Sequence, residues 1–376
     1  MSRGSWNQKE AIGQGVGLGL PIAEVLGGRW DAGREIWPGI RGGMSGAARA
    51  RKDGFTIAST WTIDGMVLTH TIACSVAPEP AVVMESLQRA RWKAPLFDTH
   101  APSLGNALGP TPAGSLRVAL HGKRTLSPPL SAEYSSSRSL VGQIEPHPRA
   151  HSSMMKGVLA MRKALTSSVF LDIMTSRMTG YVPRTAATMG ANGENISAVL
   201  YRLARDEEQK QNLVDWISEL CAPPIVDLDF IETGFGDVLF VLVEKDGTRI
   251  GPRSASDGTL RFLGELTALR TAEEGRLLLL EEIGNGLHPA RVQLLVEILE
   301  SVTRGGARQV IATTHSPSVL HALSPPALGD AIVFGRHEDQ IGSRRKRLAD
   351  LPHFGEILER RGIEHLFTTK WLERAL

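Results

Sequence analysis

The stretch from Arg276 to Pro289, RLLLLEEIGNGLHP, limits what this chain can fold into more than any other. Four successive leucines, Leu277 to Leu280, lack the alternation of a half-exposed strand. They suit a short strand buried on both faces, as in the middle of a parallel sheet. Glu281 and Glu282 follow at once, and so stand at the sheet edge where open α/β folds bind ligands. The Gly-Asn-Gly turn leads to Pro289, well placed in the first turn of a helix.

The next elements extend this unit. Val292 to Thr303 has amphipathic helical spacing, and Gln309 to Ala312 reads as a second buried strand that ends at Thr313-Thr314-His315-Ser316-Pro317. A strand, one helix and a strand make a βαβ unit, whose right-handed crossover sets the two strands side by side and parallel. His315 is therefore expected beside Glu281 and Glu282 at one edge. Upstream, Ser256 or Asp257 can cap a helix whose buried side holds Leu260, Leu263 and Leu266. A helix that opens with Ser256, Asp257, Gly258 and Thr259 offers free N–H groups and a positive dipole end to an anion.

The rest of the chain reads more plainly. Pro21 to Leu26 is expected to start a short helix. Phe55 to Ile63 and Met66 to Cys74 alternate about Asp64-Gly65, a strong hairpin signal because both turn positions need positive φ. Ser115 to Leu120 adds a strand, and residues 102 to 151 otherwise read as long connections with Ser135 to Ser137 exposed. Met155 to Ile173 and Asn195 to Cys221 have helical spacing; Leu200, Leu203, Leu213, Trp216, Ile217 and Leu220 mark the packed side of the second. Arg205 to Lys210 is a solvated bend or helix face. Ile225 to Thr233 and Asp237 to Glu244 pair about a Gly-Phe-Gly turn, and Asp246-Gly247 turns into Thr248 to Gly251. Near the C-terminal end come the basic run Arg344 to Arg347, read as a solvated turn rather than a nucleic-acid contact, and a helix with Leu358, His365 and Leu366.

A chain of 376 residues with a formal net charge of +2 has no global basic field to attract nucleic acid. Its two cysteines, Cys74 and Cys221, match no metal or redox spacing and suit a reducing cytoplasm. No apolar run approaches the roughly 18 residues of a membrane span. Gly13, Gly15, Gly17 and Gly19 suggest a phosphate loop, but no lysine followed by Ser or Thr completes them. Gly122-Lys123 is followed by Arg124 and lacks the upstream glycine.

Paired acids, a neighbouring histidine and an anion-holding helix start suit nucleotide hydrolysis. Here the chain resembles AAA-family ATPases with an ABC-type head, the single-chain relatives of RecF and SMC heads. Asp257 to Phe262 resembles the signature, Leu277 to Pro289 the Walker B motif, and Ala312 to Pro317 the switch histidine. Gly190 to Ile196 resembles the family's turn into the helical lobe. The likeness runs from about Met189 to Trp371 and more weakly from about Ile22.

That resemblance implies an α/β fold: a P-loop NTPase-like head with a mostly parallel core sheet, an antiparallel β subdomain and a helical lobe. The expected divisions are 1–150, an incomplete N-terminal lobe with its hairpin; 151–224, the helical lobe; and 225–376, the C-terminal lobe with the motifs. It implies ATP and Mg2+, with Glu282 as catalytic base, Glu281 supporting magnesium and His315 as switch. Ser256, Asp257 and Gly258 would meet the γ-phosphate of a nucleotide held by a second protomer, so a cytoplasmic homodimer is implied, with DNA or an effector protein as partner and no membrane.

Three departures stand out. The family has Asp where Glu281 stands and Pro-Glu where Ile283-Gly284 stand. Its Walker A motif, due just before Ile22, is missing, which leads one to expect a truncated or frame-altered start. Two readings follow: an ATP-hydrolysing dimer, or a non-hydrolysing binding subunit that completes a site on another protomer. A nuclease with an added Toprim domain is disfavoured, since no Asp-x-Asp pair follows His315.

Overall fold

The computed structural model describes residues 16–31, 34–37, 43–48, 52–99, 113–121, 130–146, 152–186, 188–219, 221, 223–272, 274–306, 308–336, 343–369 and 371–376. Gly13, Gly15, Gly122, Lys123, Arg124 and Leu220 lie outside them. The chain forms two compact units that divide between Ser168 and Val169.

The first unit is built on an antiparallel meander of six strands: β1 (Gly54–Ile63), β2 (Met66–Ser75), β3 (Ala81–Arg89), β4 (Phe97–Asp98), β5 (Ser115–Leu120) and β6 (Leu130–Ser135). The β1–β2 turn follows expectation, with Asp64 at φ 48° and Gly65 at φ 70°. On β2, Met66, Leu68, Ile72 and Cys74 are buried, so its alternation places one face on the core. That core also takes Ile22, Val25 and Leu26 of helix α1 (Ile22–Gly27), and Met154, Val158 and Met161 from the sixteen-residue helix Ser152–Ser167. The stretch read as long connections is more ordered than expected, because it contains β6 and the short helix Leu140–Gln143. Gly17 and Gly19 have packing roles here. A Cβ on Gly17 would lie 2.7 Å from the Leu165 Cβ, and one on Gly142 would lie 2.6 Å from the Gly19 Cα.

Glu85, fully buried on β3, holds this unit's polar centre. Its carboxylate accepts from His70 Nε2 at 2.8 Å, from Ser139 Oγ at 2.7 Å, and from the backbone N–H groups of Leu140 at 2.7 Å and Val141 at 3.3 Å. The carboxylate thus supplies the acceptor that the start of the Leu140–Gln143 helix lacks locally.

The second unit contains a three-stranded parallel sheet: β7 (Val169–Leu171), β8 (Leu277–Leu280) and β9 (Gln309–Ala312), in the order β9–β8–β7. Leu278 lies between Val310 and Val169, and Leu280 between Ala312 and Leu171. The β8 strand matches expectation, with Leu278, Leu279 and Leu280 buried.

For this sheet, two strands differ from expectation. The helical reading of Met155 to Ile173 ends at Ser167, where Thr166, Ser167 and Ser168 turn their hydroxyls back onto carbonyls of Arg162 and Ala164. Val169-Phe170-Leu171 then becomes a strand. Nor is Gln309–Ala312 buried: Gln309, Ile311 and Ala312 are exposed, because this strand ends the sheet among the described residues.

Helix α2 (Asp257–Thr271) shares a hydrophobic core with this sheet, and its residues from Phe262 to Leu269 are all buried. Asn195 to Cys221 divides into two helices, Ile196–Leu203 and Glu207–Ser218, the second capped by the Asp206 carboxylate on the Gln209 N–H. Leu200, Leu213 and Ile217 are buried, with Leu203 and Trp216 packed against them. Ile225–Glu232 and Asp237–Glu244 form the expected antiparallel pair, extended by Val182–Pro183 and Arg249–Ile250. Arg344 to Arg347 is a strand rather than a turn, paired with Ile332–Arg336. The helix Phe354–Thr368 carries the buried Leu366, with Gly362 at φ 73° marking a kink. Among the described residues no helix is long and apolar enough to cross a membrane.

On α2, Glu265 is 2% exposed and its Oε2 has no hydrogen-bond partner among the described residues. Burial pushes its carboxyl up to about 8, while Arg261, one turn earlier, pulls weakly the other way. Two predictions follow from these buried acids. Replacing Glu85 with Ala strands four buried donors and should lower unfolding free energy by about 3 kcal/mol, read by urea denaturation; a loss within experimental error would show the network to be dispensable. For Glu265, the folded state holds its proton above the ordinary carboxylate pKa, so stability falls as pH rises from about 4.5 towards about 8. The melting temperature of Glu265→Gln should lose that part of the pH dependence.

Candidate functional site at the parallel sheet edge

The C-terminal ends of the three parallel strands carry Asp172, Glu281 and Glu282, and Thr313 to His315. The loops after β8 and β9 are tied together by a short ladder. The Glu282 N–H donates to Thr313 Oγ1 at 3.1 Å, and the Ile283 N–H to the Thr313 carbonyl at 2.9 Å. Thr314 Oγ1 returns a bond to the Ile283 carbonyl at 3.0 Å and accepts from the Ser316 N–H at 3.0 Å. These bonds fix the loop that carries His315 against the loop that carries the acids. His315 is exposed, while Glu281 and Glu282 are half-buried. On the other side, the Glu281 N–H donates to the Leu171 carbonyl at 3.2 Å, which anchors the acids to the third strand.

Glu282 adopts φ 49°, a left-handed conformation that costs a non-glycine residue on the order of 1 kcal/mol. The surroundings hold it there. Besides the Thr313 bond, Asn285 Nδ2 donates to Glu282 Oε2 at 3.1 Å, and the Asn285 N–H donates to the Glu282 carbonyl at 3.1 Å. Asn285 thus orients one carboxylate oxygen. Its place in the Gly-Asn-Gly turn is visible in the sequence, but this contact is not.

Gly284 also has a definite reason. It is buried at φ 76°, and a Cβ there would come within 2.7 Å of Val319 Cγ2. The departure from the family's Glu at this position is therefore matched by a backbone and a neighbour that refuse a side chain.

The next turn leads into α3 (Pro289–Thr303), where His288 caps the helix by accepting from the Ala290 N–H through Nδ1 at 3.3 Å. Arg291 then meets the start of α2. A Cβ on Gly258 would sit 2.9 Å from Arg291 Nη1 and 3.3 Å from the Gly286 carbonyl. The α2 start is formed by Ser256, whose Oγ accepts from the Thr259 N–H at 3.1 Å. Ser256 and Asp257 are exposed and Gly258 is half-buried. Thr259 also approaches the Cys221 thiol at 3.9 Å, and burial pushes that thiol's pKa up.

The motif residues therefore fall into two clusters within the second unit. Glu281, Glu282 and His315 share the sheet edge; Ser256, Asp257 and Gly258 begin a helix against the turn that follows the acids. Sequence reasoning missed Asp172, since its strand was read as helix. The turn at Gly190 to Ile196 docks behind this strand, with the Asp172 N–H donating to the Ala191 carbonyl at 2.9 Å and the Met174 N–H to Asn192 at 3.1 Å. Asn195 closes that turn by accepting from the Gly190 N–H at 2.7 Å and donating to the Thr188 carbonyl at 2.8 Å. Among the described residues no three His, Cys, Asp or Glu side chains form a metal cluster. The donors at the edge still suit magnesium, which takes one or two protein carboxylates and completes its shell with water and phosphate oxygens.

Residues 186–321 match the family described as "AAA domain, putative AbiEii toxin, Type IV TA system". That stretch contains every motif residue named above except Asp172. Among solved structures, the chain is similar to an Smc head bound to the C-winged helix domain of ScpA, with a TM-score of 0.34, 10% identity, and 75% of each chain covered. It is also similar to an Smc head domain with a coiled coil and joint derived from Pyrococcus yayanosii, with a TM-score of 0.28 and 18% identity over 44% of this chain. The second alignment spans only 34% of that protein's chain. At these scores neither alignment bears on individual residues. No curated protein matches the sequence.

Placing alanine at Gly284 should cost about 2 kcal/mol, from the positive φ and the contact with Val319. Denaturant unfolding checks this, and an unchanged midpoint would mean that the loop relaxes freely.

Proposed function

We propose that this chain binds ATP with Mg2+ at the sheet edge and hydrolyses it as a nucleotide-dependent homodimer in the cytoplasm. The observation that carries this reading is the way Glu282 is held. A carboxylate kept in a costly backbone conformation, with one oxygen oriented by Asn285, is arranged as a general base would be. Glu282 takes a proton from water as that water attacks the γ-phosphorus; the bond to the bridging oxygen breaks and ADP leaves. Glu281 helps to hold Mg2+, which when bound neutralises charge on the phosphate oxygens. His315, fixed through Thr313 and Thr314, meets the γ-phosphate as the switch.

Ser256, Asp257 and Gly258 contact the γ-phosphate of the nucleotide bound by the second protomer. The free N–H groups and positive dipole end of a fifteen-residue helix favour that role. The dimer couples ATP binding to an effector protein or to DNA.

A second reading is favoured by one observation: the sequence contains no Gly-x-x-x-x-Gly-Lys-[Ser/Thr] run. On that reading the chain is a non-hydrolysing binding or regulatory subunit that lends its α2 start to a site on another protomer.

Calorimetry with Mg-ATP on the 376-residue chain and on Glu282→Gln separates the two. The hydrolytic reading predicts micromolar binding, tighter in the variant, with dimers that persist in light scattering. No heat at millimolar ATP would overturn it in favour of the binding subunit.

A further inference from the structure

We propose that strand β1 (Gly54–Ile63) pairs edge to edge with the same strand of a second copy of this chain, joining their first units through one continuous antiparallel sheet. β1 ends the six-stranded meander and has only β2 as a neighbour among the described residues. An open edge is a row of unpaired N–H and C=O groups, which proteins ordinarily blunt with charge, proline, a bulge or short length. β1 has none of these. It runs for ten residues, GFTIASTWTI, without a charge or a proline, and its register with β2 is unbroken from Gly54 to Ile63. The opposite edge of the sheet is different: β6 is six residues long and carries Glu133, paired with Arg117 at 3.1 Å.

One hydrogen bond fixes which backbone groups face outward. The Val76 N–H donates to the Asp53 carbonyl at 2.7 Å, so Asp53 turns toward β2. Backbone groups alternate along an antiparallel strand, so Gly54, Thr56, Ala58, Thr60 and Thr62 turn theirs to the open edge. The side chains alternate too. Thr56, Ala58, Thr60 and Thr62 are exposed on one face, while Phe55, Ile57, Trp61 and Ile63 face the core yet stay half-buried where the sheet stops.

A two-fold axis at Ala58 satisfies all of these groups. Ala58 then faces the same residue of the second copy, Thr56 faces Thr60, and Gly54 faces Thr62, each pair exchanging two backbone hydrogen bonds. The same register sets Phe55 against Trp61 on the half-buried side, and the exposed Lys52 against the exposed Asp64. Every unlike pair occurs twice, as in an isologous interface. A register one residue longer would set Asp53 against Asp64 and turn the exposed face of each strand to the core side of the other. This complementarity of the strand with itself selects a second copy over a foreign peptide, whose alternate side chains need pockets that a row of Thr and Ala does not build.

Sedimentation velocity on the full chain without nucleotide tests the pairing, so the outcome does not depend on ATP binding. Wild type should sediment at twice the 40.7 kDa chain mass at micromolar concentration. Ala58→Lys and Ala58→Glu, each checked for an unchanged melting curve, should each associate about tenfold or more weakly, because like charges then meet across the axis. An equimolar mixture of the two variants should recover the dimer. A monomeric wild type overturns the proposal, as does a dimer that either variant alone leaves intact. A mixture that stays monomeric also overturns it, since the proposed register brings the two opposite charges together.

Discussion

The parallel pairing of Leu277–Leu280 with Gln309–Ala312 and Val169–Leu171 is the constraint on which the second unit depends. It aligns three strand ends at one edge, and the Thr313 ladder then ties the loop of the acids to the loop of His315. Without the pairing, Glu282 and His315 are residues more than thirty positions apart with no reason to meet. With it, a single hydroxyl, Thr313 Oγ1, supports the strained backbone of the acid from the neighbouring strand. The strain is local and its support is tertiary, the usual division of labour at sites built on open sheets.

Two buried acids show how burial gives the same side chain opposite consequences. Glu85 meets four donors, so its carboxylate organises the first unit and caps a helix more than fifty residues away in sequence. Glu265 sits in a helix buried almost all round, and one of its oxygens finds no partner among the described residues. Its proton stays on because no donor replaces water. Both acids lie in apolar stretches, AVVMESL and RFLGELTAL. A lone Glu on the buried face of a strand or helix is a visible signal; whether donors await it is not.

The departures from the family pattern are also physical statements about this loop. Gly284 stands where the backbone turns left-handed and Val319 closes in, so the missing side chain and the local geometry agree. Close packing also explains Gly17, where a Cβ would lie 2.7 Å from Leu165, and Gly142, where one would lie 2.6 Å from Gly19.

Much of the architecture was legible in the residues. The Leu277–Leu280 strand, the Asp64-Gly65 hairpin, the Ser256 cap and the Pro289 helix start each rest on local chemistry, and local chemistry is written in short stretches. Val169–Leu171 was not legible: three residues after a helix carry no period, and only pairing with β8 makes them a strand and exposes Asp172 as a member of the edge. Gln309–Ala312 was legible as a strand but not as an exposed one, because exposure depends on what lies alongside. Arg344 to Arg347 was legible as charge and not as a ribbon, since its partner strand lies across an intervening loop. The sequence by itself determined which residue types stand at the strand ends and helix starts. Only the tertiary structure decided which of them meet, because hydrogen bonds such as Thr313 to Glu282 join positions that no local pattern connects.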